Sequence, residues 1–365
     1  MDTKRKNIVL TVLMAAALLA GALCCLLLPE REWSVSERRL LAQRPADFFS
    51  GSFAEDFERY AQDQFPGREG FRALKALSET YLFGKLDNNG LYLSRGHVSS
   101  LDYPLNQDML DHAAERFRYL YDRYLSGTEG RIYLAIIPDK NYFLAQQSGR
   151  LSLDYDALVS YMRENMDYAA YIDLFPLLSL DNYYRTDSHW RQETLPDTAN
   201  ALLAAMGAPA AAAEYTENTL DIPFYGVYAG QSALPLAPDV IRYLTSPAMD
   251  GCTVTSYDTG APVKKSVYDQ EKARGRDPYE LFLSGADALI TIENPEALSD
   301  RELILFRDSF GSAIAPLLLE SYAKITLVDI RYLRSDLLGS FLDFQDQDVL
   351  FLYSTTLLNN SLALR

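Results

Sequence analysis

Apolar residues fall along this chain in three kinds of pattern. From Ile8 to Leu28 they form one run without a charge. At about 1.5 Å per residue that run makes a helix about 30 Å long, which matches a bilayer core. Further on, Phe53, Phe57, Tyr60 and Ala61 recur at helical spacing, predicting an amphipathic helix that ends near Phe65-Pro66-Gly67, with a second helix from Phe71 to Leu82. Helical spacing returns over Leu110 to Leu125, Ala157 to Tyr168, Thr198 to Met206 (closed by Ala-rich residues to Ala213) and Leu337 to Phe344. The third pattern is the short, nearly continuous apolar run: Arg131 to Ile137, Ala170 to Leu174, Ala288 to Ile292, Glu302 to Phe306, Lys324 to Ile330 and Asp348 to Tyr353. Such runs suit parallel strands buried on both faces.

Strands alternating with helices predict an α/β fold, a mostly parallel sheet flanked by helices. Between Glu214 and Lys272 the pattern changes, and Gly, Pro and Thr interrupt short runs such as Thr253-Val254-Thr255-Ser256-Tyr257. This predicts an inserted subdomain of loops and β-hairpins at about 214–272, either overhanging the cleft or decorating the surface. The organisation read from the sequence is an N-terminal transmembrane anchor (1–29), a polar linker (30–52) and one α/β domain (53–365) carrying that insertion.

Lys4, Arg5 and Lys6 precede the apolar run, which predicts a cytoplasmic N-terminus and places the rest of the chain outside the cytoplasm. Ala20-Gly21-Ala22 is a candidate cleavage site, yet the run continues through Leu26-Leu27-Leu28, so an uncleaved anchor is the favoured reading. A formal charge of -16 argues against a nucleic-acid partner, which demands a basic face. With three Cys and three His and no ligand spacing among them, neither a disulfide framework, a metal site nor a cofactor is expected.

The chemistry concentrates at Arg307-Asp308-Ser309-Phe310-Gly311. A strand that breaks there and passes into a helix lifts Ser309 off the carboxyl edge of the sheet, where open α/β folds bind ligands. The helix behind it would aim N–H groups and a positive dipole end at the same spot. Serine needs a base oriented by a carboxylate. His97 and His112 have no companion, whereas His189 has Asp187 two residues before it, and Trp190 is expected to pack behind the imidazole. Ser309, His189 and Asp187 are therefore the candidate catalytic residues. Asp139, Lys140 and Asn141 follow the 131–137 strand and by the same edge argument line the cleft. A cation at Lys140 steadies substrate or oxyanion, or else pairs with Asp139 as a loop charge. Tyr225, beside Gly226, is a candidate for the substrate wall.

Asp-x-His-Trp followed by a later Asp-Ser-Phe-Gly resembles the DHHW family, and also looks like the alginate O-acetyltransferase proteins, whose catalytic domain is SGNH-hydrolase-like. Glu37-Arg38-Arg39-Leu40, Asp63-Gln64-Phe65-Pro66-Gly67-Arg68, Ile137-Pro138-Asp139-Lys140, Tyr225-Gly226 and Val328-Asp329-Ile330-Arg331-Tyr332 are similar to further landmarks of the family. One departure is Ser188, which stands where the naming motif has the first of two histidines. The resemblance implies an SGNH-like O-acetyltransferase working through an acyl-serine, with Ser309 as nucleophile, His189 as base and Asp187 as its orienter. It also implies a glycan or polysaccharide acceptor and a membrane-bound O-acyltransferase partner that supplies the acyl group. A carbohydrate esterase, or an inactive glycan-binding or assembly factor, is the competing expectation.

Overall fold

The computed structural model describes residues 3–211 and 214–365, so the expected end of the Ala-rich run at Ala213 lies outside the described residues. The chain divides into two compact units, one running to Asn89 together with Ala229–Leu236, the other comprising Gly90–Tyr228 and Ala237–Arg365.

The first unit opens with helix α1 (Thr3–Leu27), apolar and long enough over Thr3–Cys25 to cross a membrane. The short strands β1 (Trp33–Ser34) and β2 (Arg39–Leu40) pair antiparallel, ahead of helices α2 (Phe53–Gln64) and α3 (Arg68–Leu77). Two of the sequence landmarks meet here. Arg39 donates to both oxygens of Asp63 at 2.8 and 2.5 Å, and Arg68 reaches Glu37 at 2.5 Å. Bidentate guanidinium–carboxylate pairing fixes orientation as well as distance, so Arg39 ties the β1–β2 turn to the end of α2, while Arg68 ties it to the start of α3. The two helices read as the head of the α/β domain lie in this unit.

The second unit carries the sheet. Its strands are β3 (Leu91–Ser94), β4 (His97–Ser100), β5 (Ile132–Ile137), β6 (Ala170–Asp173), β7 (Thr216–Thr219), β8 (Arg242–Thr245), β9 (Thr253–Ser256), β10 (Val263–Lys265), β11 (Leu289–Glu293), β12 (Glu302–Arg307), β13 (Lys324–Val328) and β14 (Asp348–Ser354). Among the described residues eight of them form one sheet in the order β10-β9-β11-β13-β12-β14-β5-β6. The five from β13 to β6 run parallel, and β11, β9 and β10 add an antiparallel edge. The β9–β10 hairpin thus comes from the inserted segment and extends the main sheet, while β7 and β8 pair separately.

Strand side chains alternate faces. Ala135, Ile137, Leu303, Leu305, Leu350 and Leu352 enter one core, with Leu202 and Leu203 of helix α7 (Pro196–Ala205). Leu134, Ile136, Ile304, Phe306, Val349 and Phe351 enter the other, with Leu110 and Phe117 of α4 (Gln107–Leu120) and Leu158 and Met162 of α6 (Tyr155–Asn165). Helices therefore cover both faces, and the apolar runs have no polar side to show. Between α4 and α6, α5 (Lys140–Ser148) leaves the end of β5. One expectation fails locally. The segment read as a helix from Leu337 to Phe344 is a 3₁₀ turn over Ser335–Ser340, whereas His97 sits on β4.

Candidate active site

The parallel strands deliver their carboxyl ends to one rim, and the rim is cross-tied before any reacting group is considered. The backbone N–H of Ser354, at the end of β14, donates to Asp308 Oδ2 at 2.9 Å, and Phe310 N–H donates to Asp308 Oδ1 at 3.0 Å. Thr355 donates through its hydroxyl to Asp139 Oδ2 at 2.9 Å and accepts from the Asp139 N–H at 3.1 Å. Strands β12, β14 and β5 are thereby fixed relative to one another at the end where a ligand would bind.

Each residue of the 307–311 segment has a separate task. Arg307 is fully buried, 3.5 Å from Asp329, which Arg331 also grips with two hydrogen bonds of 2.8 and 2.6 Å. Burial pulls the Arg307 guanidinium below its ordinary pKa, against the pull of Asp329. Asp308 pins the turn. Ser309 stays half-buried, and the Phe310 carbonyl accepts from the Trp190 indole at 3.1 Å. Gly311 clears the Arg307 stem, since a Cβ there would lie 2.6 Å from Arg307 Cβ and 2.8 Å from Cγ. The helix expected behind the serine is only Gly311–Ile314, continuing as a 3₁₀ turn over Ala315–Leu318. One turn cannot sum the peptide dipoles that the sequence argument relied on.

Ser309 and His189, 120 residues apart along the chain, form one hydrogen-bonded chain with Asp187. His189 Nε2 and Ser309 Oγ are 2.7 Å apart, and His189 Nδ1 lies 2.5 Å from Asp187 Oδ1, which also accepts from the His189 backbone N–H at 3.0 Å. With Nδ1 donating to the carboxylate, Nε2 is left as the acceptor facing the serine hydroxyl. Asp187 is buried and the imidazole nearly so, 14% exposed. Trp190, fully buried, packs edge-on against Phe310 with centroids 5.4 Å apart, and the ring stacked on the imidazole is that of Tyr279 and not, as expected, that of Trp190.

Partners that the sequence did not disclose hold this chain in place. The ring of Tyr279 stacks on His189, centroids 4.0 Å apart and planes 14° off parallel. Its buried hydroxyl finds no partner among the described residues. The Val227 N–H donates to Asp187 Oδ2 at 2.8 Å and the Gly226 N–H to Thr186 Oγ1 at 3.0 Å. Asp239 accepts from the backbone N–H groups of Arg185 and Thr186 and from the Thr186 hydroxyl at 2.6 Å. No sequence signal marks Tyr279 or Asp239, while Gly226 is visible only as a landmark.

Lys140 and Asn141 are not where a substrate could reach them. Lys140 is 2% exposed, and its Nζ donates to the carbonyls of Tyr184 at 3.0 Å and Arg185 at 3.3 Å, one turn ahead of Asp187. Burial lowers its pKa to about 7, opposed by Asp187, Asp239 and Asp139. Asn141 is fully buried, accepting from the Tyr92 hydroxyl and donating to the Leu151 carbonyl. The expected cleft cation is thus an internal brace, because α5 turns both side chains inward once Asp139 caps it, accepting from Asn141 N–H at 2.6 Å. Tyr225 is exposed beside Gly226. His97 is buried on β4, and His112 lies 3.2 Å from the Ser361 hydroxyl. Among the described residues no three His, Cys, Asp or Glu side chains gather as a metal site would require.

No protein-family model and no curated protein matches the chain. Solved structures do. A DHHW family protein from Eubacterium siraeum is similar with a TM-score of 0.61 at 19% identity, over 76% of this chain and 96% of its own. Bacillus cereus PatB1, solved with a sulfonyl adduct, gives 0.60 at 18% identity, over 73% of this chain and 95% of its own. A weaker likeness, 0.44 at 15% identity over 74% of this chain and 92% of the other, is to the O-acetyltransferase domain of Pseudomonas putida AlgJ. At these identities the likeness is one of fold, and the fold is the SGNH-hydrolase-like α/β architecture that the motifs led one to expect.

Proposed function

We propose that this chain is a membrane-anchored O-acyltransferase that works outside the cytoplasm, passing acetyl groups to hydroxyls of an exopolysaccharide or cell-wall glycan through an acyl-enzyme on Ser309. The observation that carries the reading is the hydrogen-bonded chain Ser309–His189–Asp187. In the first half-reaction His189 Nε2 takes the Ser309 proton as Oγ bonds to the acyl carbon of a donor. The tetrahedral oxyanion collapses, the bond to the leaving group breaks, and the imidazolium returns its proton to that group. In the second, a sugar hydroxyl gives its proton to His189 and attacks the acyl carbon, and the bond from that carbon to Ser309 Oγ breaks as the imidazolium returns the proton to Oγ. The backbone N–H of Ser309 is placed among the oxyanion donors, each contributing about 3 kcal/mol.

Tyr225, exposed beside the Gly226–Val227 loop, is the aromatic side chain this reading sets against the acceptor sugar. The anchor is α1, with Lys4, Arg5 and Lys6 on the cytoplasmic side, and the acyl donor is handed over by a membrane-bound O-acyltransferase partner.

Sulfonyl groups attach to activated nucleophiles, and PatB1 has been seen with a sulfonyl adduct. The purified chain should therefore gain one sulfonyl group at Ser309 when treated with a sulfonyl fluoride, and should release p-nitrophenol from its acetyl ester. Ser309→Ala should do neither, and turnover at the wild-type rate by that variant would remove Ser309 from the chemistry. With an oligosaccharide present, an acetylated sugar marks a transferase, and free acetate alone marks an esterase.

A further inference from the structure

The first unit carries an aromatic face that is exposed among the described residues. Phe49 is 92% exposed and Phe48 68%, and they begin a ladder of rings. Phe48 lies 5.5 Å from Phe49 and 4.6 Å from Phe53, Phe53 5.8 Å from Phe57, and Phe57 6.0 Å from Tyr60, measured between centroids. The opposite side of α2 is polar, with Glu55, Glu58, Arg59 and Gln62 exposed and Arg59 paired to Glu55 at 2.5 Å. A short helix with Phe on one side and charges on the other suits a boundary between lipid and water.

Where that boundary lies follows from contacts to α1. The Tyr60 hydroxyl, at the inner end of the ladder, donates to the Cys25 carbonyl at 3.2 Å, in the last turn of the apolar helix. Phe65, at the end of α2, packs on Gly21, where a Cβ would lie 3.3 Å from its ring, and Phe65 in turn meets Phe71 at 5.5 Å. Gly21 is six residues inside the end of α1, which at the helical rise is about 9 Å. That is the depth to which interfacial helices sink their apolar faces, roughly 5–10 Å below the headgroup boundary.

We infer that the Phe48–Phe71 face of the first unit lies in the headgroup–acyl boundary of the membrane that α1 crosses, so that the protein sits on its membrane as well as being tethered to it. The inference rests on the reading of α1 as a membrane span. The occupant is lipid and not a groove-seeking protein because the face is continuous with the end of a helix already apolar all round. A chain with a formal charge of -16 gains nothing from anionic lipid, so the attachment is apolar and insensitive to salt.

The test uses the full chain with Cys24, Cys25 and Cys252 changed to Ser and a single fluorophore on Phe49→Cys, reconstituted in phosphatidylcholine nanodiscs. The same label on Leu362→Cys, exposed in the second unit, is the aqueous reference. Nitroxides on shallow acyl positions should quench the Phe49 label several-fold more than the Leu362 label, and aqueous iodide should do the reverse. Equal quenching by iodide at both sites would place Phe49 in water and overturn the inference. Protection of Phe49 from both quenchers would put another protein, or a second copy, against the face and overturn it equally. Flotation with liposomes separates the two readings, since a chain that floats with a wet Phe49 keeps the span and loses the interfacial face, whereas one that fails to float loses both.

Discussion

Gly226 packs so closely on Asp187 that a Cβ at 226 would fall 2.5 Å from the Asp187 Cα and closer still to its Cβ. The approach brings the Gly226 and Val227 N–H groups onto Thr186 and onto the Asp187 oxygen that His189 does not use. Gly226→Ala must push this loop away. The expected cost is about 1–3 kcal/mol of stability from overpacking, measured by urea denaturation. Turnover should fall more than substrate affinity, because the Val227 bond is what fixes Asp187 beneath the imidazole.

Ser309→Ala and His189→Ala should each lower acetyl-ester turnover about a thousand-fold or more, with unchanged far-UV circular dichroism. Groups that act as a unit are not additive, so the double variant should be no slower than either single one. A further large drop in the double variant would show two independent routes.

Tyr279 separates ring from hydroxyl. Its hydroxyl is buried without a partner among the described residues, and a lone buried polar group is unfavourable, so Tyr279→Phe should leave stability unchanged or raise it by up to about 1 kcal/mol, with turnover retained. Tyr279→Ala removes the surface on which His189 stacks and should cost about 3–5 kcal/mol together with most of the activity. Thermal melts and ester assays on the two variants decide the matter.

Lys140 predicts a pH signature. Its pKa is lowered to about 7, chiefly by burial, while an unfolded lysine keeps its proton to about 10.4. Between those values the unfolded chain holds a proton that the folded chain has released, so this group makes stability rise with pH across the window and adds no slope below pH 7. Lys140→Met removes the slope. Relative to wild type, the variant should lose on the order of 2 kcal/mol between pH 7 and pH 9 in chemical denaturation. An equal difference at both pH values would show that the lysine stays charged in the fold.

The strands are legible in the sequence because every residue of a segment such as Ile132–Ile137 enters one core or the other, which leaves no polar alternation to misread. The Ser309 and His189 segments are legible as motifs. Short-range patterning fails where a few residues decide the backbone. Arg95 and Gly96 take positive φ, 51° and 80°, and close a two-residue hairpin that pairs Ser94 with His97, so His97 belongs to a strand. Around Leu338 helical spacing is present and Ser335 and Leu338 are buried, but Leu337 and Phe341 remain exposed, and the segment forms a 3₁₀ turn. Lys140 looks like a surface charge because a sequence cannot show that α5 points its first turn inward, toward the carbonyls of Tyr184 and Arg185. Tyr279 is one of 25 tyrosines, and only the fold selects it.

Asp187 and His189 ride on one bend of three residues, bonded through both side chain and backbone. Carboxylate and ring therefore translate together, as a single cartridge. Slippage of that loop leaves the inner couple intact and shows itself wholly as a lengthened gap to Ser309, so damage to the site would register as idle, correctly assembled machinery standing out of reach of its alcohol.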